Sequence, residues 1–123
     1  MKKILIFSLS ALCLSCYTVN RNCTDFKTGS FESTVTIEGV AYTSTFIRTT
    51  DLQIETFGGK TDSASVRWIN ECEMVFKTIN PRSMAEKKDI HVKILETTDS
   101  TYTFEYSYVG ETLKQQGVAV KLK

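Results

Sequence analysis

From Phe31 to Leu122 the chain runs as short segments in which apolar and polar residues alternate, each closed by turn formers. Phe31, Val35 and Ile37 alternate with Glu32, Thr34 and Thr36, the period of two that suits a strand with one buried face. The same reading gives strands over Val40–Thr49, Leu52–Phe57, Ala64–Ile69, Cys72–Ile79, Ile90–Glu96, Thr101–Val109 and Val118–Leu122. Thr50-Asp51, Gly58-Gly59, Asn80-Pro81, Asp99-Ser100 and Gly110 punctuate them. About eight short, evenly spaced strands predict an all-β fold, a small antiparallel barrel or sandwich, and a barrel would also remove exposed edges. The irregular stretch from Asn80 to Lys88 has room for one helical turn at Ser83–Lys87. No repeat, low-complexity tract or linker divides the chain.

The N-terminus carries a different signal. Lys2-Lys3, an apolar run from Ile4 to Leu14 and the small residue Ser15 lead into Cys16, the order of an export signal. The run is shorter than the ~20 residues of a membrane-spanning helix. Leu12-Cys13-Leu14-Ser15-Cys16 resembles the lipobox of bacterial lipoproteins, with Cys13 where Leu is usual. That resemblance implies a signal peptide over 1–15, acylation of Cys16 by chains such as palmitate, and a lipidated tether over 16–22; a plainly secreted, cleaved protein is the alternative. The domain then covers 23–123, a size that supports one core. Losing Lys2 and Lys3 takes the formal charge from +1 to about −1, and no basic face for nucleic acid is implied. Fully extended, the polar tether 17–22 reaches roughly 20 Å.

Export also sorts the four cysteines. Cys13 would leave with the signal and Cys16 would carry lipid, so their CxxC spacing is no redox or metal motif. Cys23 and Cys72 remain, in a compartment where disulfides persist. A bridge between them contributes roughly 3–4 kcal/mol on the chain-entropy model; two separately buried thiols are the alternative.

Three groups of residues are candidates for function. With Thr50-Asp51 as a two-residue loop, Arg48 faces Gln53 and Phe46 faces Glu55, so Arg48, Gln53 and Glu55 share a face with Tyr42, Phe46 and Phe57. Ile47, Leu52 and Ile54 line the other face. Turned into a barrel, the first face would grip a polar ligand group; a buried Arg48–Glu55 ion pair fixing register and a solvated outer face fit the same residues. The second group is aromatic: Tyr102, Phe104, Tyr106 and Tyr108 share one strand face, and Trp68 lies in phase with Val66. These rings read first as core, with Trp68 and Tyr102 as candidate ligand contacts. The third group, catalytic, is nearly empty. His91 is the single histidine, out of phase with Ile90, Val92 and Ile94, and reads as a solvated position. No zinc-ligand spacing, nucleophile elbow, phosphate loop or EF-hand is present, and Glu71 and Glu73 do not by themselves make a site. The chain reads as a non-enzyme without a cofactor.

Cys23-Thr-Asp-Phe-Lys-Thr-Gly-Ser-Phe31, Arg48 with Gln53-Ile-Glu55, and Trp68-Ile-Asn-Glu-Cys72 resemble a family of small β-rich lipoproteins of Bacteroidota-type bacteria, across most of residues 16–122. The resemblance implies a fold and a disulfide rather than an activity. Some relatives bear the name DNA topoisomerase IV, which a slightly acidic exported chain without an ATPase loop does not support. Gly29-Ser-Phe31 is loosely similar to the opening of lipocalins, so a lipocalin-like meander is one arrangement that fits. In such bacteria, a lipidated cysteine without acidic residues after it implies an outer-membrane lipoprotein facing the periplasm. Asp62-Ser63-Ala64 and Asp99-Ser100-Thr101 match the short O-glycosylation pattern there and read equally as turns. The expected partners are the membrane through the anchor, and either a small apolar or amphipathic ligand or an envelope protein. The latter means an assembly factor or an inhibitor of a wall-degrading enzyme.

Overall fold

A computed structural model describes residues 19–123, so the lipobox, Cys16 and the first part of the tether lie outside the described residues. Eight antiparallel strands follow a short 3₁₀ turn at Cys23–Phe26: β1 (Gly29–Ile37), β2 (Val40–Arg48), β3 (Leu52–Phe57), β4 (Lys60–Asn70), β5 (Glu73–Thr78), β6 (Ile90–Thr97), β7 (Thr101–Tyr108) and β8 (Gln115–Lys121). Each strand pairs with the next, and β8 pairs back on β1 from Phe31↔Lys121 to Val35↔Gly117. The protein is a closed antiparallel eight-stranded barrel with a simple up-and-down meander, rather than a sandwich.

Alternation in the sequence becomes inside and outside in the ring. Phe31 on β1, Phe46 on β2, Val66 on β4, Met74 on β5, Val92 and Ile94 on β6, Tyr102 and Phe104 on β7 and Ala119 on β8 build the core. Two strands are longer than their patterns predict. Gly58 and Gly59, at φ of 58° and 79°, make a two-residue turn of the type that matches strand twist. β4 therefore starts at Lys60, and Asp62-Ser63-Ala64 lies in a strand rather than a turn. β8 starts at Gln115 because Gln-Gln-Gly pairs with Glu105, Tyr106 and Phe104 despite its lack of apolar alternation.

Among the described residues, a plug caps one end of the barrel. Phe26, fully buried, plugs the end that carries the β2–β3, β4–β5 and β6–β7 turns, and the Cys23–Cys72 disulfide fastens this plug to the β4–β5 turn. Residues read as free tether also dock here. The Thr97 amide donates to the Asn20 carbonyl at 2.8 Å, the Asn22 amide to Thr97 Oγ1 at 2.7 Å, and Arg21 Nε to the Leu95 carbonyl at 2.8 Å. At the opposite end, the β5–β6 loop folds into a single turn in which Ser83 Oγ accepts from the Glu86 amide and the Glu86 carboxylate accepts from the Arg82 amide. That reciprocal use of Ser and Glu resembles a capping box.

Candidate ligand-binding cavity

The β2–β3 hairpin forms with Phe46 opposite Glu55, Ile47 opposite Ile54 and Arg48 opposite Gln53. Closure of the ring turns the Arg48–Gln53–Glu55 face inward and leaves Ile47 and Ile54 exposed on the outside. The expected Arg48–Glu55 ion pair does not form: none of the ion pairs among the described residues joins them. Arg48 instead serves the plugged end. Its Nη2 donates to the Phe26 carbonyl at 2.7 Å and the Tyr102 hydroxyl at 3.1 Å; its Nη1 donates to Gln53 Oε1 at 3.1 Å. The guanidinium carbon lies 4.9 to 5.8 Å from the ring centroids of Phe31, Phe46, Trp68 and Tyr102. A guanidinium is weakly hydrated and stacks well on rings, so Arg48 is held at 2% exposure without a carboxylate beside it.

Above this floor the barrel is not filled. A cavity of about 440 Å³ runs up to the end opposite the plug, within the size range of small-molecule sites. Tyr42 and Phe57 occupy inward-facing positions at its mouth yet remain 43% and 49% exposed, their rings 6.2 Å apart. Two walls differ in chemistry. Ser44 on β2 and Gln53 and Glu55 on β3 set polar groups among the rings of Tyr42, Phe46 and Phe57, the more polar wall; Ile90 and Val92 on β6 with Phe104 on β7 make an apolar one. In a ring of eight, β2 and β3 lie across the interior from β6 and β7.

Burial pushes the Glu55 carboxyl above the ordinary carboxylate range, opposed by a hydrogen bond from Ser44 and reinforced by the charge of Asp62. Burial likewise raises the Tyr102 phenol against the pull of Arg48, and raises Tyr106. At the rim, Arg82 bridges Asp62 at 3.0 Å, so the β5–β6 turn leans on the mouth and brings Glu86 to the cavity edge.

Of the residues expected to touch a ligand, Arg48, Gln53, Glu55 and Tyr102 line this cavity and Trp68 does not. Trp68 sits two positions beyond Val66 toward the plugged end, between Arg48 and the Lys27 ammonium, 5.3 Å from its ring. It is part of the floor's support. The rings of β7 divide by depth: Tyr102, Phe104 and Tyr106 face the cavity, whereas Tyr108 reaches the rim under Lys88. Ser33 and Ser44 were not singled out in the sequence, and Asp62 stood out only within a glycosylation pattern, although positions in phase with Phe31, Phe46 and Ala64 place all three inside. His91 stands on the outer face, 28% exposed, 3.7 Å from Glu73. No group of three or more potential metal ligands converges among the described residues.

Comparisons with protein-family models, with curated proteins and with solved structures each return no match.

Proposed function

We propose that this protein is a non-enzymatic binding protein that holds one small amphipathic ligand inside the barrel. The observation that carries the reading is the unfilled interior with a polar and an apolar wall facing each other. An eight-stranded barrel can be filled by its own side chains or can hold one small ligand, and here the space is left open. A ligand lying across the barrel would set its polar group on β2–β3 and its apolar body on β6–β7, displacing water from the rings that line the apolar wall. Its place is the envelope: an export signal and a lipid-attachment cysteine at Cys16 would hold the plugged end, where Asn20–Asn22 dock, toward an outer membrane facing the periplasm. Several acyl chains make such an anchor stable. Metabolic labelling with a fatty-acid analogue should mark the protein and be lost in Cys16→Ala; label that persists in the variant refutes the anchor.

Native mass spectrometry of the full-length protein from its envelope tests the binding reading. A single small-molecule adduct, released on denaturation, is expected. An adduct-free protein that also fails to take up an apolar fluorescent probe would sink the proposal. A protein-interaction module has one observation in its favour, the paired Ile47 and Ile54 exposed on the outer face. Crosslinking that traps an envelope protein on these isoleucines, with the cavity empty, would favour that reading.

A further inference from the structure

The cavity's charges do not balance, and the imbalance specifies a head group. Among the described residues three carboxylates line it, those of Glu55, Asp62 and Glu86, against the cation Arg48, with Arg82 at the rim paired to Asp62. Arg48 is out of reach of a ligand anion. Both of its terminal nitrogens are hydrogen-bonded within the protein, its Nε, which has no partner among the described residues, is fully buried, its face is covered by four rings, and it is 2% exposed. Asp62 is held by Arg82 and Glu86 by the Arg82 amide, both at the rim. Glu55, directly cross-strand from Asp62, is the more buried of the two; its side-chain partner is the Ser44 hydroxyl, and no ion pair among the described residues includes it.

Each kind of head group meets that arrangement differently. An anion would face the Glu55 carboxylate, and the cation nearest to it at the rim, Arg82, is already paired with Asp62. A neutral hydroxyl would leave the Glu55 charge shielded from water and uncompensated, which is costly. A cation would satisfy Glu55 and find ring faces around it, because Tyr42, Phe57, Phe104 and Tyr106 also line the space. Aromatic faces attract ammonium and guanidinium groups, most strongly when these are desolvated. The protein already uses that pairing three times on its own side chains: Arg48 on the floor rings, Lys27 over Trp68 and Lys88 over Tyr108.

Building on the binding reading above, we propose that the ligand is an organic cation, an amine or quaternary ammonium carried on an apolar body, with its charged head seated against Glu55 and its body on the β6–β7 wall. Glu55 gives specificity, and the rings and aliphatic wall give most of the affinity. Acid should weaken the selection, since Glu55 then takes a proton. The other charged or titratable groups lining the space are Arg48, Asp62, Glu86, Tyr102 and Tyr106, and burial keeps both phenols neutral at neutral and acid pH.

Four probes with one tail test this: decylamine, decyltrimethylammonium, decanol and decanoate, titrated against a bound fluorescent probe on the full chain. Both cations should bind about tenfold more tightly than decanol, with decanoate the weakest. Glu55→Gln should remove about tenfold of the gap between decylamine and decanol, and in that variant the gap should depend far less on pH. Decanoate binding tightest, or a cation preference undiminished in Glu55→Gln, overturns the head-group proposal. Equal binding of all four overturns it while leaving the binding reading intact. Failure of all four to displace the probe overturns both.

Discussion

Arg48 holds the plugged end together by donating to three elements at once: the Phe26 carbonyl from the plug, Gln53 from β3 and the Tyr102 hydroxyl from β7. Lysine carries the same charge on a compact ammonium that cannot span those acceptors. Arg48→Lys should cost about 2–4 kcal/mol by urea unfolding, the scale of buried partners left unmatched. A stability equal to wild type would show that the ring stack alone suffices. Glu55 makes the opposite contribution. Its folded pKa is raised by burial, so its effect on stability is favourable in acid and is lost as pH rises through that pKa. Glu55→Gln should raise the melting temperature at pH 7 and change it little at pH 4, below the ordinary carboxylate value. That Arg48, Gln53 and Glu55 share a face was legible from Thr50-Asp51, because a two-residue loop sets every pairing behind it. Arg48's partners were not legible: Phe26 and Tyr102 are distant in sequence, and only barrel closure brings them to its guanidinium.

At the scale of elements, β8 shows how a strand can extend into residues without apolar alternation, here Gln115–Gly117 ahead of the expected Val118. A Cβ on Gly117 would stand 2.6 Å from Phe104 Cζ and 2.9 Å from the Thr34 carbonyl oxygen, so the Phe104 ring lies over the glycine as part of the apolar wall. Gly117→Ala should therefore destabilise by about 1–3 kcal/mol and weaken probe binding as Phe104 is pushed from its place; unchanged binding would mean that the ring has other room. Neither this contact nor the strand was visible in Gln115-Gln116-Gly117, since pairing there is dictated by neighbours on β7 and β1. The plug was more legible. Replacing Cys23 and Cys72 by Ala should cost about 3–4 kcal/mol and lower the melting temperature by about 10 °C or more. A smaller loss would mean that Phe26 and the Asn20–Thr97 contacts hold the plug without the bridge.

For the whole molecule, local pattern supplied the strand count and most boundaries, while the choice between barrel and sandwich lay in the β1–β8 pairing that no local pattern encodes. The same closure decides which face of β2 and β3 looks inward, and so turns three polar residues from candidates into a cavity wall. It also separates the two ends, plugged where the chain enters and open where Tyr42 and Phe57 stand. The account depends on that interior being a binding site rather than idle space. Ala64 on β4 lines the cavity, and a tryptophan there would occupy much of it while replacing no residue of the floor or the disulfide. The direct measurement is titration of an apolar fluorescent probe into wild-type protein and Ala64→Trp, each first shown by circular dichroism to be folded. One saturable site in the wild type, lost or weakened at least about tenfold in the variant, is the predicted result. Equal binding to both proteins, or none to the wild type, would contradict it.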